Sequence, residues 1–132
     1  MTKQKPKVLC VDDDGDWRDL LSQWLKPHCE LEFCTQGAEV PGRVENFCPD
    51  CIVLDHELGD MLGSQICAQL KAKPALATIP VIILTSLAST MFDAVKEGRP
   101  DRFLVKSENP DELLATLKSL LAAKGFTADW QA

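Results

Sequence analysis

The chain has 132 residues, of which 45% are hydrophobic and 26% charged. This size and composition are typical of one globular domain and argue against disorder. Twenty acidic residues against fourteen basic ones give a formal net charge of −6, which disfavours direct binding of nucleic acid or of an anionic membrane. No apolar run approaches the length of a transmembrane helix. Only four apolar residues, 8–11, follow the basic N-terminus, so we expect no signal peptide, a cytoplasmic location and reduced cysteines.

Short apolar segments alternate along the chain with segments of helical periodicity. The predicted strands are 8–11, 31–34, 51–54, 80–84 and 102–105. The predicted helices are 17–25, a short helix beginning at Pro41, a helix ending near Lys71, 89–97 followed by Gly98 as a stop, and a last helix ending at Gly125. For the last helix, Asn109 is predicted as the N-cap and Pro110 as the first helical residue. This alternation predicts a doubly wound α/β fold, with a five-stranded parallel sheet between two layers of helices.

Residues with reactive or metal-binding side chains follow four of the predicted strands. Three aspartates, 12–14, follow the first strand, Asp55 follows the third, Thr85 and Ser86 follow the fourth, and Lys106 follows the fifth. Because parallel strands end at the same edge of a sheet, these side chains are predicted to meet at one site. Carboxylates this close raise one another's pKa, and a divalent cation that prefers oxygen ligands, Mg²⁺ or Mn²⁺, relieves the repulsion.

A metal ion beside a carboxylate is suited to phosphoryl transfer, because the ion neutralises charge on the transferred group. In such a site Asp55 would act as the nucleophile and form an aspartyl phosphate. Lys106 would pair with one phosphoryl oxygen, and the hydroxyl group of Thr85 would donate a hydrogen bond to another.

The segments that carry these residues resemble the response-regulator receiver domains of two-component signalling. The matching motifs are VLCVDDD at 8–14, IVLD at 52–55, PVIILTS at 80–86 and FLVK at 103–106. The resemblance extends from about residue 7 to residue 124, and it implies a flavodoxin-like sheet with strand order 2-1-3-4-5. A receiver takes a phosphoryl group from a histidine kinase or a phosphotransfer protein. It is a signalling phosphoacceptor rather than a conventional enzyme, and it catalyses only its own phosphorylation and dephosphorylation.

The resemblance also implies which residues hold the metal ion. Asp55 matches the phosphoacceptor and is itself one of the metal ligands. Asp13 would bind Mg²⁺ directly, and Asp12 would bind it mainly through water. Glu57, two residues after the phosphoacceptor, would contribute its backbone carbonyl.

Other positions match residues that respond to phosphorylation in the family. Thr85 matches the switch hydroxyl, Phe103 the aromatic switch, and Lys106 the lysine characteristic of receivers. Phosphorylation would shift an existing equilibrium on the face formed by the fourth helix, fifth strand and fifth helix, here residues 89–118. This face would bind an unidentified downstream protein, and a homodimer through it is possible.

Four positions near the site call for comment. Ser107 stands where the family has a proline after a cis bond, so we expect either a trans bond with a reshaped loop or a strained cis bond. The side chain of Glu57 adds negative charge beside the site and is expected to alter the kinetics of phosphorylation. Leu87 could shield the phosphoryl group. Strand alternation points His56 away from Asp55, which disfavours a catalytic role for this histidine.

Other classes of function compete with a phosphorylated receiver. The departures at Glu57 and Ser107 motivate a pseudo-receiver, which would bind a partner protein without phosphorylation. The intact set of site residues weighs against it: Asp12, Asp13, Asp55, Thr85 and Lys106. A phosphatase with an aspartate nucleophile would have a second aspartate in place of Glu57. A flavodoxin-type electron carrier would have a loop rich in Ser, Thr and Gly in place of residues 12–14.

A C-x-x-C motif at Cys48 and Cys51 raises the possibility of redox or zinc chemistry. The motif leads into a strand, whereas redox-active pairs lie at a helix N-terminus, and the strand order separates it from Cys34. We therefore predict a receiver over residues 1–125, with a C-terminal tail at 126–132, that signals by binding another protein.

Overall fold

The parallel sheet is the centre of the molecule. A computed structural model of the chain describes residues 5–87 and 91–126, apart from the side chains of 91–94. The strands are β1 (Lys7–Val11), β2 (Glu30–Cys34), β3 (Cys51–Asp55), β4 (Val81–Thr85) and β5 (Arg102–Val105). All pairs are parallel, and the order is β2-β1-β3-β4-β5. The flavodoxin-like α/β fold predicted from the sequence is confirmed.

Helices cover both faces of the sheet. They are α1 (Gly15–Leu25), α2 (Val40–Phe47), α3 (Gly63–Lys71), α4 (Met91–Gly98) and α5 (Asp111–Ala122), and a 3₁₀ turn at Gly37–Glu39 precedes α2. Because alternate strand residues point to opposite faces, Leu9 and Val11 join the core beneath α2 and α3, whereas Val8 and Cys10 join the core beneath α1 and α5. Every residue of β3 and β4 is buried, as expected for parallel strands covered on both sides.

Side-chain caps determine where α1 and α5 begin. Asp14 caps α1 by accepting a hydrogen bond from the backbone N–H of Asp16 at 3.0 Å. Asn109 accepts a hydrogen bond from the N–H of Asp111 at 2.9 Å in the same way. Pro110, however, occupies the N-cap position and Asp111 is the first helical residue. The helix therefore begins one residue later than predicted, although Asn109 supplies the capping hydrogen bond.

The bounds of α2 and α4 also differ from the predicted ones. α2 begins at Val40, one residue before Pro41, because a 3₁₀ turn leads into it. Gly98 is the last residue of α4 rather than the residue that stops it. A Cβ atom at Gly98 would lie 2.9 Å from backbone atoms of Ser64, so the glycine allows α3 and α4 to approach closely. Ser89, the predicted start of α4, lies outside the described residues.

The C-terminal end of the described chain packs on the core. Phe126 contacts the cluster beneath α1 and α5, and its backbone N–H donates to the carbonyl of Leu121 at 3.1 Å. The rest of the predicted tail, residues 127–132, lies outside the described residues. Across the described ranges, no helix is long and apolar enough to span a bilayer.

Candidate functional site

The strand register brings the predicted site residues to one edge of the sheet. Asp55, the last residue of β3, lies in register with Leu84. Thr85, the last residue of β4, lies in register with the last residue of β5, which precedes Lys106. Asp12 directly follows β1. The carboxyl ends of four neighbouring strands therefore present these side chains together.

Three carboxylates form the centre of the site. Asp12, Asp13 and Asp55 each offer an oxygen atom, and these oxygens lie within 4.8 Å of one another. Asp12 and Asp55 are buried, with 1% and 3% of their surface exposed, whereas Asp13 is exposed. An all-oxygen set that is anchored on one side and open to water on the other fits Mg²⁺, which keeps several of its waters. The acidic triad is thus typical of a magnesium site.

Lys106 links the two buried carboxylates. Its Nζ lies 2.9 Å from Oδ2 of Asp12 and 3.3 Å from Oδ1 of Asp55. Burial alone would lower the pKa of Lys106, but the hydrogen bond and charge of Asp12, together with Asp55, raise it above its usual value. The lysine is therefore a fixed cation. The Lys106–Ser107 peptide bond is trans, which is the first of the two alternatives that the missing proline left open.

Asp55 is held in an environment that opposes its ionisation. Burial raises the pKa of Asp55 to about 6 from an ordinary 3.8, and the neighbouring charge of Asp12 adds to this effect. Lys106 and the N–H of Glu57, which donates to Oδ1 of Asp55 at 3.3 Å, act in the opposite direction. Burial and like charge raise the pKa of a carboxylate because both disfavour the charged form. At neutral pH the carboxylate is ionised but poorly solvated.

The start of α1 fixes Asp12. The guanidinium Nη1 of Arg18 donates to the carbonyl of Asp12 at 3.0 Å, and the N–H of Asp12 donates to the carbonyl of Cys34 at 3.0 Å. Oδ1 of Asp12 accepts from the N–H of Asp14 at 2.9 Å. These bonds leave Oδ2 directed at Lys106. No sequence pattern indicated the contribution of Arg18.

Trp17, on the first turn of α1, forms a wall of the site. The Nζ of Lys106 lies 5.0 Å from the centre of one of its rings, within the range of a cation–π contact. Trp17 also packs edge-on against Trp24, with ring centres 5.6 Å apart. Sequence periodicity placed Trp17 only in the apolar stripe of α1. Its position five residues after Asp12, at the start of a helix that leaves the site, is the signal that could have revealed its second contact.

The side chain of Glu57 engages the end of β4. Its Oε2 accepts from the hydroxyl group of Thr85 at 2.5 Å. Its Oε1 accepts from the N–H of Ser86 at 3.1 Å and from the hydroxyl group of Ser86 at 3.3 Å. The Thr85 hydroxyl in turn accepts from the N–H of Leu87 at 3.0 Å. The sequence placed this carboxylate beside the site but did not indicate its contact with Thr85.

The loop between β3 and α3 packs tightly around the phosphoacceptor strand. Nδ1 of His56 accepts from the N–H of Ser64 at 3.3 Å, and the histidine is 5% exposed. A Cβ atom on Gly63 would lie 2.5 Å from the carbonyl oxygen of Asp55. His56 thus ties the loop to α3, which agrees with the expectation that it does not serve the site directly.

Two further predicted residues differ in their surroundings. Phe103 is half-buried and packs against the core cluster beneath α2 and α3. Leu87 is 51% exposed, so about half of its side chain faces solvent. The shielding role suggested for Leu87 remains a prediction.

The C-x-x-C motif lies away from this chemistry, because Cys51 begins β3 and Asp55 ends it. Cys51 is buried, and its burial raises its pKa to about 12, whereas Cys48 is exposed with a left-handed backbone. A thiol with so high a pKa is protonated and unreactive at neutral pH. Among the described residues, the group of ligands close enough to hold a metal ion is the aspartate triad, which includes no cysteine.

Fold and site together define a class of protein: a doubly wound α/β domain with an acidic triad, a lysine and a hydroxyl group at the carboxyl edge of its sheet. The sequence model of the response regulator receiver domain matches residues 8–118. The chain belongs to this family and is a phosphoacceptor receiver of two-component signalling rather than a conventional enzyme. Receiver domains accept phosphate from histidine kinases.

Individual relatives agree with this assignment. Transcriptional regulatory protein GltR of Pseudomonas aeruginosa is 32% identical over 130 residues, which cover 96% of this chain and 53% of GltR. Transcriptional regulatory protein PrrA of Mycobacterium leprae is 35% identical over 126 residues, with 93% and 53% covered. The chain thus spans about half the length of these relatives. The crystal structure of response regulator TrrA from Thermotoga maritima, in complex with Mg²⁺-BeF, has a TM-score of 0.80 at 27% identity and covers 89% of this chain and 99% of TrrA.

Proposed function

We propose that the chain is phosphorylated on Asp55, with Mg²⁺ (or Mn²⁺) held by Asp12, Asp13, Asp55 and the backbone carbonyl of Glu57. The observation that carries the proposal is the placement of Asp55. Its buried carboxylate lies 3.3 Å from the ammonium of Lys106 and shares a cluster with two carboxylates. The related protein TrrA was crystallised with Mg²⁺-BeF, which supports a metal ion and a phosphoryl-like group at the equivalent place here.

The residues of the site have distinct tasks in the proposed transfer. An oxygen of Asp55 attacks phosphorus, the new O–P bond forms, and the bond between phosphorus and the donor breaks with its electron pair going to the leaving group. Lys106 pairs with one phosphoryl oxygen and Thr85 donates a hydrogen bond to another. Bound Mg²⁺ would neutralise charge on the group in transfer.

We propose a histidine kinase or a phosphotransfer protein as the donor and a protein as the downstream target. The signal would pass through Thr85 and Phe103 to the face formed by α4, β5 and α5. Val95 and Val105 on this face are 42% and 38% exposed, so apolar surface is open to a partner or to a second copy of the chain. We place the protein in the cytoplasm, with residues 1–125 as the receiver domain and 126–132 as its tail.

Phosphorylation of the purified chain tests the proposal. With acetyl phosphate and Mg²⁺, the wild-type protein should gain one phosphoryl group by intact mass, and EDTA should prevent the gain. Asp55→Asn should gain none. Asp19→Asn, which makes the same change at an exposed position on α1, should react like the wild type. An unmodified wild-type protein that nonetheless binds Mg²⁺ would refute phosphorylation and favour the pseudo-receiver.

A further inference from the structure

The carboxylate of Glu57 occupies a set of hydrogen-bond donors at the end of β4. Two of them are hydroxyl groups, on Thr85 and Ser86, and the third is the backbone N–H of Ser86. Thr85 is fully buried and Glu57 partly so, which makes the bond between them stronger than one at an open surface, whereas the two bonds from Ser86 are exposed. Three donors converging on one carboxylate form an anion-binding arrangement, and Glu57 fills it.

These donors lie beside the proposed phosphoacceptor. Thr85 directly follows Leu84, the register partner of Asp55, and the N–H of Glu57 itself donates to Oδ1 of Asp55 at 3.3 Å. In the proposed function, the Thr85 hydroxyl donates to a phosphoryl oxygen. A hydroxyl group has a single proton to donate. Oε2 of Glu57, at 2.5 Å, is a much nearer acceptor for the Thr85 hydroxyl than the carbonyl oxygen of Leu87 at 3.4 Å. The same proton cannot serve both anions.

We propose that Glu57 is a built-in competitor of the phosphoryl group: its carboxylate occupies the Thr85 and Ser86 donors while Asp55 is unmodified, and phosphorylation displaces it. The inference rests on the proposed function. It makes Glu57 a regulatory residue that lowers the stability of the phosphorylated form and holds Thr85 and Ser86 in the unmodified arrangement. Two anions sharing one donor set also repel each other, which favours departure of the carboxylate once a phosphoryl group is present.

A plain electrostatic effect of Glu57 is the competing explanation, and two variants separate it from competition for donors. Glu57→Asp keeps the charge but shortens the side chain by one methylene group, so its carboxylate falls short of the donors. Glu57→Gln keeps the length but removes the charge, and its single carbonyl oxygen replaces only one of two acceptors. Glu108→Asp, the same change at an exposed position after β5, is the matched control.

The first measurement is the affinity for beryllofluoride, a phosphoryl mimic. Binding is monitored by ¹⁹F NMR in the presence of Mg²⁺. Competition predicts that Glu57→Asp binds at least about tenfold more tightly than the wild type, the factor for losing a hydrogen bond to a charged acceptor. Glu57→Gln should gain as well, and Glu108→Asp should not change. If Glu57 had only a structural role, its substitution would weaken the binding of beryllofluoride. Unchanged or weaker binding by Glu57→Asp, with normal binding by the wild type, overturns the inference and leaves the proposed function standing.

Amide hydrogen exchange at Ser86 gives a second readout that needs neither metal nor phosphoryl mimic. The N–H of Ser86 is hydrogen-bonded to Glu57 at 3.1 Å, so its exchange should be at least about tenfold faster in Glu57→Asp than in the wild type. Equal exchange in both proteins shows that the contact does not hold Ser86 and overturns the inference. Absence of beryllofluoride binding in the wild type and in every variant overturns the proposed function instead, and the competitor role with it.

Discussion

The two ends of the parallel sheet both carry aspartates, but the aspartates at the amino end are matched by donors. Oδ2 of Asp50 accepts from the N–H of Lys7 at 2.9 Å, which joins the starts of β1 and β3. Oδ2 of Asp101 accepts from the N–H of Val81 and from Nζ of Lys71, both at 2.8 Å, which joins the starts of β4 and β5 to α3. These carboxylates act as links between elements.

At the carboxyl end the aspartates face one another instead. Asp12, Asp13 and Asp55 form one cluster, and among the described residues their salt bridges come from Lys106 alone. The cluster therefore carries an excess of negative charge that a bound cation would offset. An acidic residue directly before or after a strand is therefore not evidence of a functional site by itself. The number of donors that face each carboxylate separates a structural link from a site with a deficit to fill.

An Asp→Asn substitution should change the free energy of unfolding in opposite directions at the two ends of the sheet. The larger change is expected at the amino end, for Asp101→Asn. Asp101→Asn removes the ion pair with Lys71 and weakens the hydrogen bond to Val81. Hydrogen bonds to charged groups contribute about 2 kcal/mol, so we expect a loss of about 2 kcal/mol in the free energy of unfolding, measured by urea denaturation at pH 7. An unchanged midpoint would show that Asp101 is not a structural link and would remove half of the comparison.

Asp55→Asn should stabilise the protein at neutral pH. The folded-state pKa of about 6 lies above the ordinary 3.8, so the folded chain holds this proton more tightly than the unfolded chain does. Wild-type stability therefore falls as the pH rises from about 4 through 6. The full pKa difference corresponds to about 3 kcal/mol, and solvent at the open side of the site reduces this to about 1.5 kcal/mol.

The pH dependence makes this second prediction specific. Above pH 6 the Asn variant should be more stable than the wild type. Near pH 3, below both the ordinary pKa of 3.8 and the folded value of about 6, the two should have nearly the same free energy of unfolding, because Asp55 is then largely protonated in both states. Asp101→Asn, whose aspartate has donors, should remain destabilising at pH 7. If Asp55→Asn were less stable than the wild type at pH 7, this would contradict the excess of negative charge assigned to the carboxyl end of the sheet.

Sequence patterns predicted the strands and the site because both depend on burial and on chain direction. β3 and β4 are buried at every position, so their apolar runs are continuous, and parallel strands must end at one edge. The proximity of the aspartate triad and Lys106 could therefore be predicted without knowledge of any side-chain contact. The one-residue shifts at Val40 and Asp111 arise from a 3₁₀ turn and a capping bond, which propensities do not resolve.

The contacts that the sequence did not reveal depend on side chains that reach across between elements. Asp50 and Asp101 precede strands as ordinary loop acids do, and only the strand register shows that they receive neighbouring N–H groups. The Glu57 carboxylate reaches Thr85 because of the loop conformation after β3. Periodicity assigns a side chain to a face, whereas these pairings need distances between segments far apart in the chain.

The smallest effect that we predict concerns Trp17, the apolar wall of the carboxyl end. A cation–π contact such as that between Lys106 and Trp17, at 5.0 Å, contributes about 1 kcal/mol when partly desolvated. A double-mutant cycle of Trp17→Leu and Lys106→Met, followed by urea denaturation, should give a coupling energy of about this size. The same cycle with Trp24→Leu, which removes the aromatic pair but not the cation's partner, should give a coupling near zero.

Trp17→Phe sharpens this last prediction. Nε1 of Trp17 is buried with no hydrogen-bond partner among the described residues, so the phenyl ring should keep the face under Lys106 while removing an unsatisfied donor. We expect the cycle of Trp17→Phe and Lys106→Met to give a much smaller coupling energy than the cycle with Trp17→Leu, because the phenyl ring keeps most of the contact with Lys106. Equal coupling energies in the Phe and Leu cycles would show that the aromatic face does not hold Lys106, and that Asp12 and Asp55 position the lysine without it.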